Sequence, residues 1–278
     1  MSATPVIVVG GYLGAGKTTL INAFLRAPGG VRATVLVNDF GAVNIDADLI
    51  AAHEGDTIAL TNGCACCSIG NDLIVAAERA LETAPDVLII EASGVAEPGR
   101  MRTLLAGVTG LGNAQALSVI NAAELQIKLK DKFVGQLYRN QIAQSDFVVI
   151  NRGTLEQRQA ADGFVGQCPK VAGIGELIPL AAGALGVRDL APMAESANPG
   201  FTARRLEFAE PVPLPELKLR LATELRRAER VKGVVEVVEE GGCVRKVLVN
   251  ATCTQTELTP APGAVESGYL VVIDKLRL

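Results

Sequence analysis

An α/β fold is predicted for this chain of 278 residues: a mostly parallel sheet with helices on both faces, followed by a small α+β domain. Three observations predict it. Short apolar runs alternate with helix-like stretches over the first two-thirds, the pattern of strands buried on both faces and joined by helical crossovers. A glycine-rich turn, Gly10–Lys17, separates the first apolar run from the first helical stretch. Pro, Ser, Asn and Gly gather at Pro192–Gly200, and beyond that point strand-like runs dominate.

The elements follow in order. Strands are expected at Pro5–Val9, Thr34–Val37, Thr57–Leu60, Val87–Ile90, Ala116–Ile120, Phe147–Ile150 and Lys170–Ala172, each a short apolar run. Helices are expected at Thr18–Arg26, Asp72–Thr83, Gly99–Ala106, Ala123–Gln144 and Leu155–Val165. The first of these stops near Gly29-Gly30, as helices do at glycine. After the linker, strands at Arg204–Ala209, Val231–Val238, Val244–Asn250, Ala251–Leu258 and Tyr269–Leu276 surround a helix at Leu214–Ala228. The expected division is residues 1–195 and residues 200–278. No internal repeat or low-complexity segment is visible.

Composition narrows the function. Apolar residues make up 49% and charged residues 20%, suited to a globular chain with a good core, and the net charge is −4. There is no apolar run of membrane-spanning length. No basic cluster suggests a nucleic-acid partner. The amino terminus enters a strand almost at once, with no basic region before the apolar run, so no secretory leader is expected and the location is read as cytoplasmic. Of the six cysteines, three fall at Cys64, Cys66 and Cys67, while Cys168, Cys243 and Cys253 are expected as small core residues.

The pattern Gly11-x-x-x-x-Gly16-Lys17-Thr18 is a phosphate-binding loop, and its strand–turn–helix setting is the one that chemistry requires. Backbone N–H groups across Gly11, Gly14, Ala15 and Gly16 can close around anionic oxygens. Lys17 can reach the β- and γ-phosphates, and the Thr18 hydroxyl can ligate Mg²⁺. In doubly wound sheets ligands sit at the carboxyl ends of the strands, which is where this loop lies.

A nucleoside triphosphatase needs a further acid near Mg²⁺, usually at the end of a buried strand. Asp86-Val-Leu-Ile-Ile-Glu91 supplies one, and Gly94 three residues later can offer its N–H to the γ-phosphate. Such a segment can order with the triphosphate and relax on its loss. Asn38-Asp-Phe-Gly41 occupies the place of a first switch, and Asp39 there can approach the metal. Asp46 and Asp48 fit either that switch or a solvated acidic loop.

Between the two switch candidates lies Asn62-Gly-Cys-Ala-Cys-Cys-Ser68. Thiolates favour Zn²⁺ or Cu(I), and Cys64, Cys66 and Cys67 can offer two or three ligands to a tetrahedral ion. A redox pair or plain buried thiols are the alternatives. A fourth ligand would come from Asp39, from His53 (the single histidine), from water or from a client, and an incomplete protein shell suits exchange.

Together these residues resemble the CobW-like family of P-loop GTPases, which includes GTP-dependent zinc metallochaperones. The matching stretches are Gly10–Leu20, Asn38–Gly41, Thr61–Cys67 and Glu91–Pro98, with Arg139–Asn151 and Arg230-Val-Lys-Gly233 further on. The resemblance implies GTP with Mg²⁺ held by Gly14, Gly16, Lys17, Thr18 and Thr19. It implies a second switch at Glu91 and Gly94, so that Lys17, Glu91 and Gly94 carry the reaction. Thr18, Asp39 and Glu91 would serve Mg²⁺ and the cysteine loop a divalent ion, most often Zn²⁺. A client metalloprotein is the implied partner, and a homo-oligomer is left open.

This chain departs from that pattern at three places. The family's base-reading Asn-Lys-x-Asp is here Asn151-Arg152-Gly153-Thr154, so Asn151 can touch the base but the acid is absent. Asp39 replaces a glutamate, and there is no His-rich loop. No Gln or His follows Glu91–Gly94 to orient water, so hydrolysis is expected to be slow. The function expected is a nucleotide-gated metallochaperone. A metal sensor or scaffold with little hydrolysis is the second expectation, and a small-molecule kinase the third.

Overall fold

Val6, Ile7, Val8 and Val9 are fully buried, as four successive apolar residues can be only inside a sheet covered on both faces. They form β1 (Thr4–Gly10), which pairs in parallel with β4 (Val87–Glu91) on one side and β5 (Leu111–Asn121) on the other. The computed structural model describes residues 3–37, 56–59, 69–182, 201–239, 241–261 and 268–275. Among them the chain divides into two compact units, Met1–Asn198 and Pro199–Leu278.

In the first unit, β2 (Ala33–Val37), β3 (Asp56–Ala59) and β6 (Phe147–Asn151) complete a six-stranded parallel sheet in the order β3-β2-β4-β1-β5-β6. Alternate residues go to opposite faces. Ile7, Val9, Val35, Ile89 and Val119 pack with Ile21 and Phe24 of α1 (Lys17–Leu25). Val6, Val8, Leu36, Leu88 and Ile90 pack on the other face with Leu73 and Ala77 of α2 (Ile69–Leu81) and with Met101 and Leu105 of α3 (Pro98–Leu105). The expected doubly covered sheet is therefore present.

The predicted helix Ala123–Gln144 is two helices, α4 (Leu125–Lys130) and α5 (Gly135–Ala143). Asp131 breaks it. Its backbone is extended, and Oδ1 accepts from Phe133 N at 2.7 Å and Val134 N at 3.2 Å. A short carboxylate that captures nearby N–H groups competes with the helical ladder. α6 (Leu155–Val165) matches its expectation, whereas Lys170–Ala172 is reduced to one parallel bridge from Lys170 to Val148. A 3₁₀ turn at Ile174–Glu176 and α7 (Leu177–Ala182) follow, and neither was predicted.

The strands of the second unit are β7 (Phe201–Glu207), β8 (Val212–Pro213), β9 (Ala228–Val238), β10 (Val244–Thr252), β11 (Thr256–Pro260) and β12 (Tyr269–Lys275). They form an antiparallel sheet in the order β11-β10-β9-β12-β7, with β8 paired in parallel beside β9. Leu217 and Leu221 of α8 (Leu214–Glu224) cover Val231, Val235, Val247 and Val249. The helix is shorter than predicted, because Ala228 already belongs to β9. The second of the two strands expected in residues 244–258 starts at Thr256, after a turn closed by Thr252 N and Gln255 O at 2.7 Å. The core assignment of the isolated cysteines is corrected: Cys168 is half-buried, and Cys243 and Cys253 are exposed.

Candidate functional site

The loop between β1 and α1 turns at three glycines with positive φ: Gly11 at 130°, Gly14 at 75° and Gly16 at 104°. L side chains rarely adopt such angles. Space adds a second constraint. A Cβ on Gly11 would lie 2.4 Å from the Val119 carbonyl oxygen, and one on Gly16 would lie 2.4 Å from Asn151 Nδ2. The loop thus leads into the amino end of α1, and the positive end of a helix dipole favours anions.

Lys17 is 5% exposed, and its Nζ donates to the Gly11 carbonyl at 2.9 Å and the Tyr12 carbonyl at 3.3 Å. The ammonium therefore lies across the loop that it is expected to serve. Thr18 Oγ1 donates to Glu91 Oε1 at 2.8 Å, and Glu91 is buried at the carboxyl end of β4. A hydroxyl and a carboxylate are hard oxygen donors, and their meeting beside an anion-binding helix end fits Mg²⁺ with phosphate.

Past Glu91 the chain is held on both sides. A Cβ on Gly94 would come within 2.8 Å of Leu13 N in the loop. The Gly94 carbonyl accepts from Gln141 Nε2 at 3.1 Å. α3, which follows, is tied down by a buried ion pair between Arg102 Nη1 and Asp146 Oδ2 at 2.9 Å. The same Asp146 oxygen accepts from Ala116 N at 2.8 Å.

Behind the loop is a second buried group that sequence reasoning missed. The rings of Tyr12 and Tyr138 pack 5.7 Å apart, and Lys128 Nζ stands 5.0 Å from the Tyr12 ring centre. Burial pushes the Tyr138 phenol well above its ordinary pKa, and the Glu124 carboxylate adds to the rise. A neutral tyrosine is therefore retained against the loop at all working pH values.

Asn151 ends β6 and braces the phosphate loop. Its Nδ2 donates to the Ala15 carbonyl at 3.0 Å, and its Oδ1 accepts from Arg152 N at 2.9 Å. Arg152 and Gly153 follow with φ of 60° and 77°. Thr154, where the resemblance leads one to look for an acid, serves the helix instead. Its side chain accepts from Gln157 N at 3.3 Å, and Gln157 Oε1 accepts from Thr154 N at 2.8 Å. This reciprocal pair is a capping box, readable in advance from Thr154-Leu-Glu-Gln157.

The structure thus brings together Gly11, Gly16, Lys17, Thr18, Glu91, Gly94 and Asn151. Asp39, Asp46, Asp48, His53, Cys64, Cys66 and Cys67 lie outside the described residues. Among the described residues no group of three His, Cys, Asp or Glu side chains could hold a metal ion. None of their helices is long and apolar enough to cross a membrane.

A central parallel sheet, a glycine-turned loop on a helix end and an acid bound to the helix's first threonine define a phosphate-loop nucleotide-binding protein. The chain belongs to the CobW/HypB/UreG family, whose nucleotide-binding domain matches residues 5–167. It is 30% identical over 181 residues to "Zinc chaperone CobW" of Sinorhizobium sp, covering 54% of this chain and 51% of that protein. It is 41% identical over 108 residues to "Zinc-regulated GTPase metalloprotein activator 1" of Dictyostelium discoideum, covering 34% of this chain and 23% of that one. The chain spans about half the length, or less, of these curated relatives. Among solved structures it is similar to the Zn(II)-bound YjiA GTPase from E. coli, at 17% identity and a TM-score of 0.45, covering 99% of this chain and 94% of that one.

Proposed function

We propose that this chain is a nucleotide-gated metallochaperone that binds and slowly hydrolyses GTP with Mg²⁺ and passes a divalent metal, most readily Zn²⁺, to a client protein. The observation that carries the reading is the Thr18–Glu91 hydrogen bond, which joins the first turn of the phosphate-loop helix to the strand before the second switch. The zinc chaperone and the zinc-regulated GTPase among the relatives support it.

Lys17 would leave the Gly11 and Tyr12 carbonyls for the β- and γ-phosphates. Thr18 and Glu91 would hold Mg²⁺, which when bound neutralises phosphate charge. Glu91 would keep the Thr18 hydroxyl oriented. Gly94 would meet the terminal phosphate while packed on Leu13. β2 and β3 end at Val37 and Ala59, at the same sheet edge as Glu91. The segments bearing Asp39 and the three cysteines continue from those ends in sequence, which supports coupling between thiol ligation and nucleotide state. Such coupling is reciprocal, so metal would change nucleotide affinity by the same factor. We assign the nucleotide and metal chemistry to residues 1–195 and a client-docking role to residues 200–278.

Equilibrium Zn²⁺ binding tests the proposal, with GTP, GDP and ATP present in turn, for the wild type and a Cys66→Ser/Cys67→Ser variant. Zinc affinity that depends on the terminal phosphate, and is lost in the variant, is the expected result. Equal affinity in all nucleotide states would overturn gating. Hydrolysis measured with and without Zn²⁺ separates a carrier from a sensor that scarcely turns over.

A further inference from the structure

Gln141 is a 1% exposed amide on α5 committed to a single task. Its Nε2 donates to the Gly94 carbonyl at 3.1 Å and to the Ala96 carbonyl at 2.8 Å, which uses both protons of that nitrogen. Its neighbours grip the same segment. Asn140 Nδ2 donates to Glu97 Oε1 at 3.1 Å, and Gln144 Nε2 donates to Glu97 Oε2 at 3.1 Å. Gln144 Oε1 accepts from Gly99 N at 3.1 Å.

The segment itself is a tight turn, closed by Ala96 N donating to the Ser93 carbonyl at 3.0 Å. That bond fixes the peptide plane carrying the Gly94 N–H, and Gln141 fixes the plane after it. On its other side Gly94 rests on Leu13 so closely that a Cβ would meet Leu13 Cδ2 at 2.5 Å. Tyr138 of the same helix packs on Tyr12 of the phosphate loop. α5 therefore touches both segments that would face a terminal phosphate.

We propose that Gln141 is the positioning residue that sets how well this site distinguishes a nucleoside triphosphate from the diphosphate, and that α5 follows Gly94 when the terminal phosphate is lost. The inference rests on the assignment of Gly94 to that phosphate in the reading above. The physical reason is satisfaction of buried groups. If Gly94 swings away, Gln141 must either move with it or surrender one of its two bonds in a site with little water to replace it. A bound diphosphate makes no demand on Gly94, so losing Gln141 weakens the triphosphate alone.

The test uses the full chain with Mg²⁺, and Gln141→Ala and Gln141→Glu beside the wild type. Affinities for GDP and for a non-hydrolysable GTP analogue are measured by competition with a fluorescent nucleotide. In both variants analogue affinity falls about tenfold, the size of one lost buried hydrogen bond, while GDP affinity stays within about twofold. Single-turnover hydrolysis falls in parallel. Equal weakening of both nucleotides, or no change in either, overturns the proposal and leaves Gln141 a packing residue. Should the variants not fold, hydrogen exchange on the wild type decides: amides of α5 must differ in protection between GDP and the analogue, and identical protection overturns it. A wild type that binds neither nucleotide removes the underlying reading as well, whereas binding with an unchanged ratio sinks this inference alone.

Discussion

Thr18 Oγ1 donates to Glu91 Oε1 at 2.8 Å across 73 residues of chain, so the start of α1 and the end of β4 are held as one unit. On the proposed reading, these two elements share one metal–phosphate group. Glu91→Gln keeps an acceptor for the Thr18 hydroxyl but removes the negative charge. Hydrolysis is expected to fall about a hundredfold, the scale of losing one charge-stabilising group. The melting temperature should stay close to that of the wild type. Single-turnover kinetics and a thermal melt on the same preparation check both halves.

Gly16 and Asn151 occupy each other's space. Gly16→Ala sets a Cβ 2.4 Å from Asn151 Nδ2 and forces a left-handed backbone on alanine. The expected cost is about 2–3 kcal/mol, from steric conflict and strain together. In an Asn151→Ala background the conflict is gone and only about 1 kcal/mol of strain remains. Urea unfolding of the two single variants and the double variant measures this difference, and simple additivity would contradict it.

Thr154 caps α6, so Thr154→Ala should cost about 1 kcal/mol of stability. Thr154→Asp keeps an equally good cap and adds a carboxylate beside Asn151-Arg152-Gly153. It is expected to raise the preference for GTP over ATP at least about tenfold, because guanine offers N–H donors that a carboxylate can accept. Competition binding with both nucleotides reads the change.

Arg32 and Asp86 stitch the amino ends of β2 and β4. Arg32 Nη2 donates to Asp86 Oδ1 at 3.0 Å, and Arg32 N and Nε reach Oδ2 at 2.9 and 3.2 Å. The hydrogen bond from the Arg32 side chain holds the Asp86 pKa below its ordinary value. A depressed carboxylate stabilises the fold above the unfolded-state pKa of about 3.9 and loses that contribution as pH falls below it. The gap in melting temperature between the wild type and Asp86→Asn should therefore be constant from pH 5 to 8 and close below pH 4. Both side chains are well exposed, so the gap will be small.

Much of the nucleotide-binding unit was readable beforehand because its strands are buried on both faces and announce themselves as apolar runs. Val6–Val9 is the plainest case. The phosphate loop was equally plain, since glycine spacing, strand and helix agree. The break at Asp131 was not, because a carboxylate that reaches two N–H groups ahead is visible only in three dimensions. The clamp by Asn140, Gln141 and Gln144 was hidden for another reason. Amide side chains carry no spacing signature, and their partners lie more than forty residues away. The cap at Thr154 is legible as Thr-x-x-Gln, the spacing of a capping box.

That cap has an evolutionary corollary. Threonine and aspartate start a helix almost equally well, so folding alone exerts little selection between them at position 154. A change there is nearly neutral for stability, yet on the proposed reading it would alter which purine is preferred. A lineage could thus change its nucleotide allegiance, and with it the energy currency it answers to, by single-codon steps that leave the scaffold intact.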